Sequence, residues 1–309
     1  MRQVKDWVYL WLRGVVMGAA DAVPGVSGGT VAFITGIYEE LIESIRSINL
    51  TALRVLFKSG PKAFWGHING NFLLVLLFGI LGSLLTVARL VIYLLDTYPA
   101  MLWAFFFGLI VSSSLWMMAQ VKQWDYSKVL MLVFGAAVAL MLTLLVPVQA
   151  EISGLSVFLA GCIAICAMIL PGISGSFILL LMGMYAPIMG AIKGFQLDIL
   201  GLFLAGCVVG LLSFSHLLSW MFRHYHDLTM ALLTGFMLGS LNKVWPWKYT
   251  TSYRINSHGD PIPLIQDNVL PLNYQALTGQ EPYLLLAVLL MIIGASLVYI
   301  LELKMNSKT

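Results

Sequence analysis

The sequence predicts an all-α polytopic membrane protein of two inverted-topology repeats. Each repeat is a broken, re-entrant type of helical hairpin followed by three transmembrane helices. Three observations lead there. Of 309 residues, 60% are apolar and only 10% charged, where a soluble domain carries about 25% charged residues; the apolar residues fall in runs long enough to cross a bilayer. A Pro-Gly motif occurs twice. Pro24-Gly25-Val26-Ser27-Gly28 with Gly36 and Tyr38 returns as Pro171-Gly172-Ile173-Ser174-Gly175 with Gly183 and Tyr185, every pair 147 residues apart. Finally, lysines and arginines divide unevenly between the two sides that this arrangement defines.

The first repeat covers 1–149. Residues 4–20 read as a helix that Asp21 and Pro24-Gly25 end. Its basic start and apolar run mimic a signal peptide. Arg13 interrupts that run, and an equivalent helix recurs over 155–170, so residues 1–23 are expected in the mature protein. Residues 26–38 are apolar but too short to span, and Glu39, Glu40 and Glu43 close them. A helix, a break and a short return suggest a hairpin that enters the bilayer and comes back, tolerated only where protein or a wet cavity surrounds it. Residues 44–69, with Arg46, Arg54, Lys58 and Lys62, read as a helix flat on the membrane surface. Spans are expected at 72–95, 100–121 and 128–146.

The second repeat, 150–309, follows the same plan: a helix over 155–170, the second Pro-Gly break, a return over 173–192, and spans at 199–222, 228–244 and 283–301. Weaker matches extend the likeness. Gly79, Tyr98 and Gly108 correspond to Gly206, Tyr225 and Gly235 at an offset of 127, and Gly135-Ala136 to Gly294-Ala295. Residues 245–281 read as an extramembrane loop anchored at the interface by Trp245, Trp247 and Tyr249. With both termini in the cytoplasm, twelve Lys and Arg lie inside and four outside, the bias that membrane insertion favours. Each half then makes an odd number of crossings, so the second must be inverted relative to the first.

The net charge of +3 is small and dispersed, which excludes a nucleic-acid partner. Cys162, Cys166 and Cys207 sit in apolar runs and read as packing residues. No metal-ligand spacing is present, and no cofactor is implied.

The repeated motif can hold an anion. Proline withholds a donor and glycine admits unusual backbone conformations. Ser27 and Ser174 are placed to cap the returning helices. Behind them Gly28, Gly29 and Thr30, and Gly175 and Ser176, leave backbone N–H groups little obstructed, a setting that attracts phosphate. Close helix packing is the competing reading of the glycines. A Gly-x-Ser-Gly pattern is also shared with intramembrane serine hydrolases, but Ser176 breaks the longer form in the second copy and no histidine is tied to the motif by spacing. An enzyme is therefore not expected, and no catalytic residue is assigned.

Charges inside membrane helices are costly and are functional candidates. Arg89 and His216 occupy matching places in the two halves, near opposite entrances. Arg13, Asp21, Glu39 and Glu40 match Ala160, Met168, Ala186 and Pro187, so the first hairpin is polar and the second apolar. Asp21 is a candidate coupling residue, or a partner for Arg13. Glu39, His216, Tyr38 and Tyr185 are candidates for gating near the pocket.

Residues 20–30, Ala-Asp-Ala-Val-Pro-Gly-Val-Ser-Gly-Gly-Thr, with Gly36-Ile37-Tyr38-Glu39, resemble the signature of the PopT-type polyprenyl-phosphate transporters. Residues 167–177 resemble the second signature of that family, and Phe106-Phe107-Gly108-Leu109 and Asn268-Val269-Leu270-Pro271 also fit. The likeness covers nearly the whole chain. It implies a bacterial inner-membrane translocase that returns undecaprenyl phosphate from the outer to the cytoplasmic leaflet for envelope glycan synthesis, with two facing re-entrant hairpins. The headgroup is then expected between the motif loops, on Ser27, Gly28, Gly29, Thr30, Ser174, Gly175 and Ser176, with Arg89 and Arg13 as countercharge. The partners are the polyprenyl-phosphate lipid and the bilayer, with a homo-oligomer left open. An ion-coupled transporter or channel for a small anion or other solute is the alternative.

Overall fold

The computed structural model describes residues 2–21, 27–145, 147, 151–255 and 261–306. Pro24-Gly25-Val26, the first half of the first motif, lies outside the described residues. Helix α1 (Val4–Asp21) enters the fold, with the Asp6 carboxylate accepting from the Gln3 N–H at its start. After the first motif come α2 (Gly28–Ile34) and α3 (Tyr38–Arg46), then α4 (Leu50–His67), α5 (Gly70–Leu85), α6 (Val87–Thr97), α7 (Pro99–Gln120) and α8 (Tyr126–Leu144). The second half gives α9 (Gly154–Ile169), α10 (Gly175–Leu181), α11 (Tyr185–Lys193), α12 (Leu197–Ser240), β1 (Lys248–Ile255), β2 (Pro261–Asn268), α13 (Pro271–Thr278) and α14 (Leu284–Asn306).

The return limb of each hairpin is two helices rather than one. Gly36 and Gly183 turn the chain at φ 71° and 68°, which glycine alone adopts without strain. Tyr38 and Tyr185 each start the next helix. Glu39 and Glu40 therefore open α3 instead of closing the element before it. Helix α2 has seven residues, about 10 Å of rise, and Glu40 pairs with Arg2, so the chain comes back toward the end of α1 from which it set out.

Other expected boundaries shift for local reasons. The expected span 72–95 is broken at Thr86 between α5 and α6; the Thr86 hydroxyl donates to the Gly82 carbonyl at 2.6 Å, a back-bond that bends helices. The expected spans 199–222 and 228–244 join into α12, 44 residues with one non-helical position, Tyr225. The expected flat helix 44–69 starts only at Leu50 and kinks at Gly60-Pro61. The loop 245–281 contains an antiparallel β-hairpin and a short helix, so the chain is not wholly α. Thr250, Thr251, Tyr253 and Ile255 favour strand.

The two halves repeat in detail. Helices α2 and α10 have seven residues each, and α3 and α11 nine. Tyr98 (φ −134°, ψ 55°) and Tyr225 (φ −139°, ψ 48°) share one irregular conformation at matching places. Packing repeats too. A Cβ on Gly14 would lie 2.4 Å from the Leu76 carbonyl oxygen, and one on Gly161 2.3 Å from that of Phe203, so α1 sits on α5 as α9 sits on α12. The last helices are exchanged. Gly108 of α7 abuts Met291 of α14, and Gly235 of α12 abuts Leu132 of α8. The hydrophobic core runs through both halves, from Leu10 and Phe72 to Leu233, Met237 and Val298. Large apolar side chains on the outer faces of α8 and α14, such as Phe134, Met141, Leu285 and Ile292, are exposed as lipid contact requires. Helices α7, α8 and α12 are long and apolar enough to cross a membrane.

Candidate functional site

The two motif loops meet. The Ser27 hydroxyl donates to the Met168 carbonyl at 2.8 Å, and the Gly172 N–H donates to the Thr30 hydroxyl at 2.8 Å. Ser27 and Thr30 are buried, and Gly29 is pressed so closely against Met168 and Ile169 that a Cβ would lie 2.3 Å from the Ile169 carbonyl oxygen. The contact joins the start of α2 to the end of α9, across 141 residues of chain.

The donors at this contact differ between tips. In the first, the Asp21 carboxylate accepts from the Gly28 N–H at 2.6 Å, Ser27 Oγ accepts from the Gly29 N–H at 3.0 Å, and the Ser27 carbonyl accepts from the Thr30 N–H at 2.9 Å. The amides expected to be open are thus taken by the chain itself, and a carboxylate stands where an anion was expected. In the second tip, Ser174 caps nothing; its hydroxyl bonds that of Ser176 at 2.8 Å. Among the described residues the N–H groups of Gly175, Ser176 and Phe177 have no acceptor. Ser174 is buried and Ser176 exposed.

Other expected site residues stand apart. Arg13 is half-buried and acts electrostatically with Arg2, Glu40 and Asp6, not with Asp21, so the Arg13–Asp21 pairing is replaced by the Asp21–Gly28 bond. Arg89 is exposed on α6, and no hydrogen bond or ion pair of its side chain falls on the tips among the described residues. His216 is also exposed, its Nδ1 donating to the Leu212 carbonyl one turn back at 2.7 Å. Tyr185 is half-buried. Tyr38 is buried between Phe33 and Phe222, ring centroids 5.1 and 5.9 Å away, and its hydroxyl has no partner among the described residues.

A charged seam that the sequence did not reveal joins α3 to α12. Glu39 meets His226 at 3.2 Å, and Glu43 accepts from Arg223 at 2.8 and 3.1 Å, from Arg46 at 3.1 Å and from Ser219. Glu40 accepts from Asn69 at 3.0 Å as well as from Arg2. Burial pushes the Glu43 carboxyl up, but the bonds from Ser219 and Arg223 and the Arg223 charge outweigh it and hold the carboxyl below the ordinary range. Glu39, Ile42, Glu43, Ser219, Phe222 and Arg223 line a cavity of about 210 Å³ there. The available signal was the spacing of Glu39 and Glu43, four residues apart and hence on one helix face, facing Arg223 and His226 three apart.

A family profile described as undecaprenyl phosphate translocase-like, VCA0040-like, matches residues 17–262, from the first motif through the second and into the β-hairpin. The chain belongs to this family. It is 54% identical to a polyprenyl-phosphate transporter of Vibrio cholerae, over 96% of both chains. It is 34% identical to a polyprenyl-phosphate transporter of Staphylococcus aureus, over 80% of this chain and 88% of that one. No solved structure matches.

Proposed function

We infer that this protein is a translocase for undecaprenyl phosphate in the bacterial inner membrane. It returns the lipid carrier from the outer to the cytoplasmic leaflet for reuse in envelope glycan synthesis, and it makes and breaks no covalent bond. The observation that carries this reading is the meeting of the two motif loops through Ser27, Thr30, Met168 and Gly172. Family membership and the names of the two relatives support the lipid as substrate.

The halves 1–149 and 150–309 act as inverted repeats with both termini cytoplasmic, a reading that the matched turns and exchanged last helices support. The phosphate passes between the tips and is held by Ser27, Thr30, Ser174 and Ser176 and by the amides of 28–30 and 175–176. At the first tip Asp21 must release the Gly28 amide before the headgroup can take it, which makes Asp21 the coupling candidate. Arg13 and Arg89, off the contact, supply longer-range countercharge. Glu39, Tyr38, Tyr185 and His216 bear on access, Glu39 and Tyr38 through α12. The isoprenoid tail stays in lipid.

The test uses the full chain reconstituted in vesicles with polyprenyl phosphate, a phosphatase added outside. The translocase reading expects lipid in the inner leaflet to become accessible, with Ser27→Ala, Ser174→Ala and Arg89→Ala slowing this. Wild-type rates in all three variants remove the proposed site. Uptake of a soluble anion with no lipid exchange would favour the channel alternative.

A further inference from the structure

A cation withdrawn from water needs an anion or dense donation of electron density nearby, or it is neutralised. Lys243 and Lys248 lie where α12 gives way to β1, and both are withdrawn. Lys248 Nζ sits 3.8 Å from the centre of the Trp103 ring and donates to the Lys243 carbonyl. Lys243 Nζ sits 4.7 Å from the centre of the Phe177 ring. Neither lysine makes an ion pair among the described residues. Burial pushes the Lys248 ammonium well down from the ordinary lysine range, and the neighbouring Lys243 charge adds to this. Aromatic faces offset part of such a cost.

The pair stands directly behind the second tip. The Lys243 N–H bonds the Ser240 carbonyl at 2.8 Å, and Ser240 packs on Gly172, its Oγ 2.8 Å from where a Cβ would be. Phe177, under Lys243, follows the exposed Ser176. At the offset of 127 the first half carries the uncharged Trp116 and Val121 in these places.

We propose that Lys243 and Lys248 form a phosphomonoester subsite beside the second tip, which takes the headgroup of a lipid phosphate before it reaches the tip contact. The subsite rests on the translocase reading. A phosphomonoester carries about −1.5 to −2 charge near neutral pH; bound there it favours the charged form of both lysines, and the two ammonium groups balance it. Trp103 and Phe177 give the site apolar walls.

The experiment uses the full chain in lipid nanodiscs and three probes: farnesyl phosphate, farnesol and inorganic phosphate. Wild type is expected to bind farnesyl phosphate and gain thermal stability from it, and to gain none from farnesol. Lys243→Met and Lys248→Met are expected to weaken binding at least about tenfold each, while Lys243→Arg and Lys248→Arg keep it within a few-fold. Methionine matches the stem and removes the desolvated charge, so these variants are expected to melt at or above the wild-type temperature. Should the Lys248 variant fail to fold, Lys243→Gln, in a turn outside helix and strand, carries the same comparison. Unchanged affinity in the neutral variants overturns the subsite and leaves the lysines as pins for the β-hairpin. Displacement of farnesyl phosphate by an equal concentration of inorganic phosphate overturns the lipid assignment in favour of a free-anion site. If the neutral variants bind normally while wild type still exchanges polyprenyl phosphate between leaflets, the subsite alone fails. A wild type that exchanges nothing fails the translocase reading itself.

Discussion

The two hairpins share one backbone and differ in nearly every charge. Each has a seven-residue return helix, a glycine turn at φ near 70° and a nine-residue helix opened by tyrosine. In the first hairpin Asp21 accepts from the Gly28 amide, and three glutamates tie α3 to α12, to Arg2 ahead of α1 and to Asn69. In the second, Met168 stands in the place of Asp21, α11 carries Ala186 and Pro187 where α3 has Glu39 and Glu40, and Lys243 lies over the Phe177 ring. Backbone geometry is thus what the two hairpins share, and side-chain polarity is what separates them. For carrying an anion this gives one tip whose Gly28 amide is taken by its own carboxylate and one whose first amides have no acceptor among the described residues.

The comparison breaks first at the glycines. Gly29→Ala places a methyl against the Ile169 and Met168 carbonyl oxygens, at 2.3 and 2.9 Å, and neither backbone can yield. It is expected to cost about 1–3 kcal/mol, to lower the melting temperature in detergent and to abolish leaflet exchange. Gly201→Ala, with nothing within 4 Å, is expected to leave stability unchanged or raise it by up to about 1 kcal/mol.

The serines sharpen the contrast. Ser27→Ala removes a cap on Gly29 and a bond to Met168, expected to cost about 1–2 kcal/mol. Ser174→Ala, which among the described residues loses the bond to Ser176, is expected to cost under about 1 kcal/mol. Equal melting shifts in the two variants would erase the proposed difference between tips. Met168→Asp gives the second tip the carboxylate of the first; farnesyl phosphate affinity is expected to fall about tenfold, the scale of one misplaced charge beside an anion. The smallest effect belongs to the seam. Glu43→Gln is expected to cost about 0.5 kcal/mol, since the pair is largely solvent-exposed. Because the Glu43 carboxyl is held low in the folded protein, its contribution is present above the ordinary carboxylate range and is lost as pH falls through its folded value. Melting temperatures of wild type and Glu43→Gln should draw together as pH is lowered from 7 to below the ordinary carboxylate range.

Much of this was legible in the residues. Helix α1 ends at Asp21 and α9 at Ile169, each within a residue of the expected end, because a Pro-Gly pair follows each, and proline both lacks the N–H that would continue the helix and disfavours helical backbone in the residue before it. The meeting of Ser27 with the second motif followed from the duplicated loops. The occupied amides of the first tip did not, since whether Asp21 turns toward Gly28 depends on the path of the chain between them. Nor did the Thr86 break, where a side-chain bond competes with a helix that composition alone would continue.

By itself the sequence determined the duplication, the apolar runs and the two loops rich in small residues, because these rest on local propensity and on identity at fixed spacing. Tertiary structure decided that the amides of Gly28 and Gly29 are taken up by their own chain, that α7 packs on α14 and α12 on α8, and that Lys243 and Lys248 stand together behind Phe177. Those outcomes depend on contacts between residues far apart in the chain, where close packing of glycine faces and the cost of desolvating charge choose among arrangements that local pattern leaves equal.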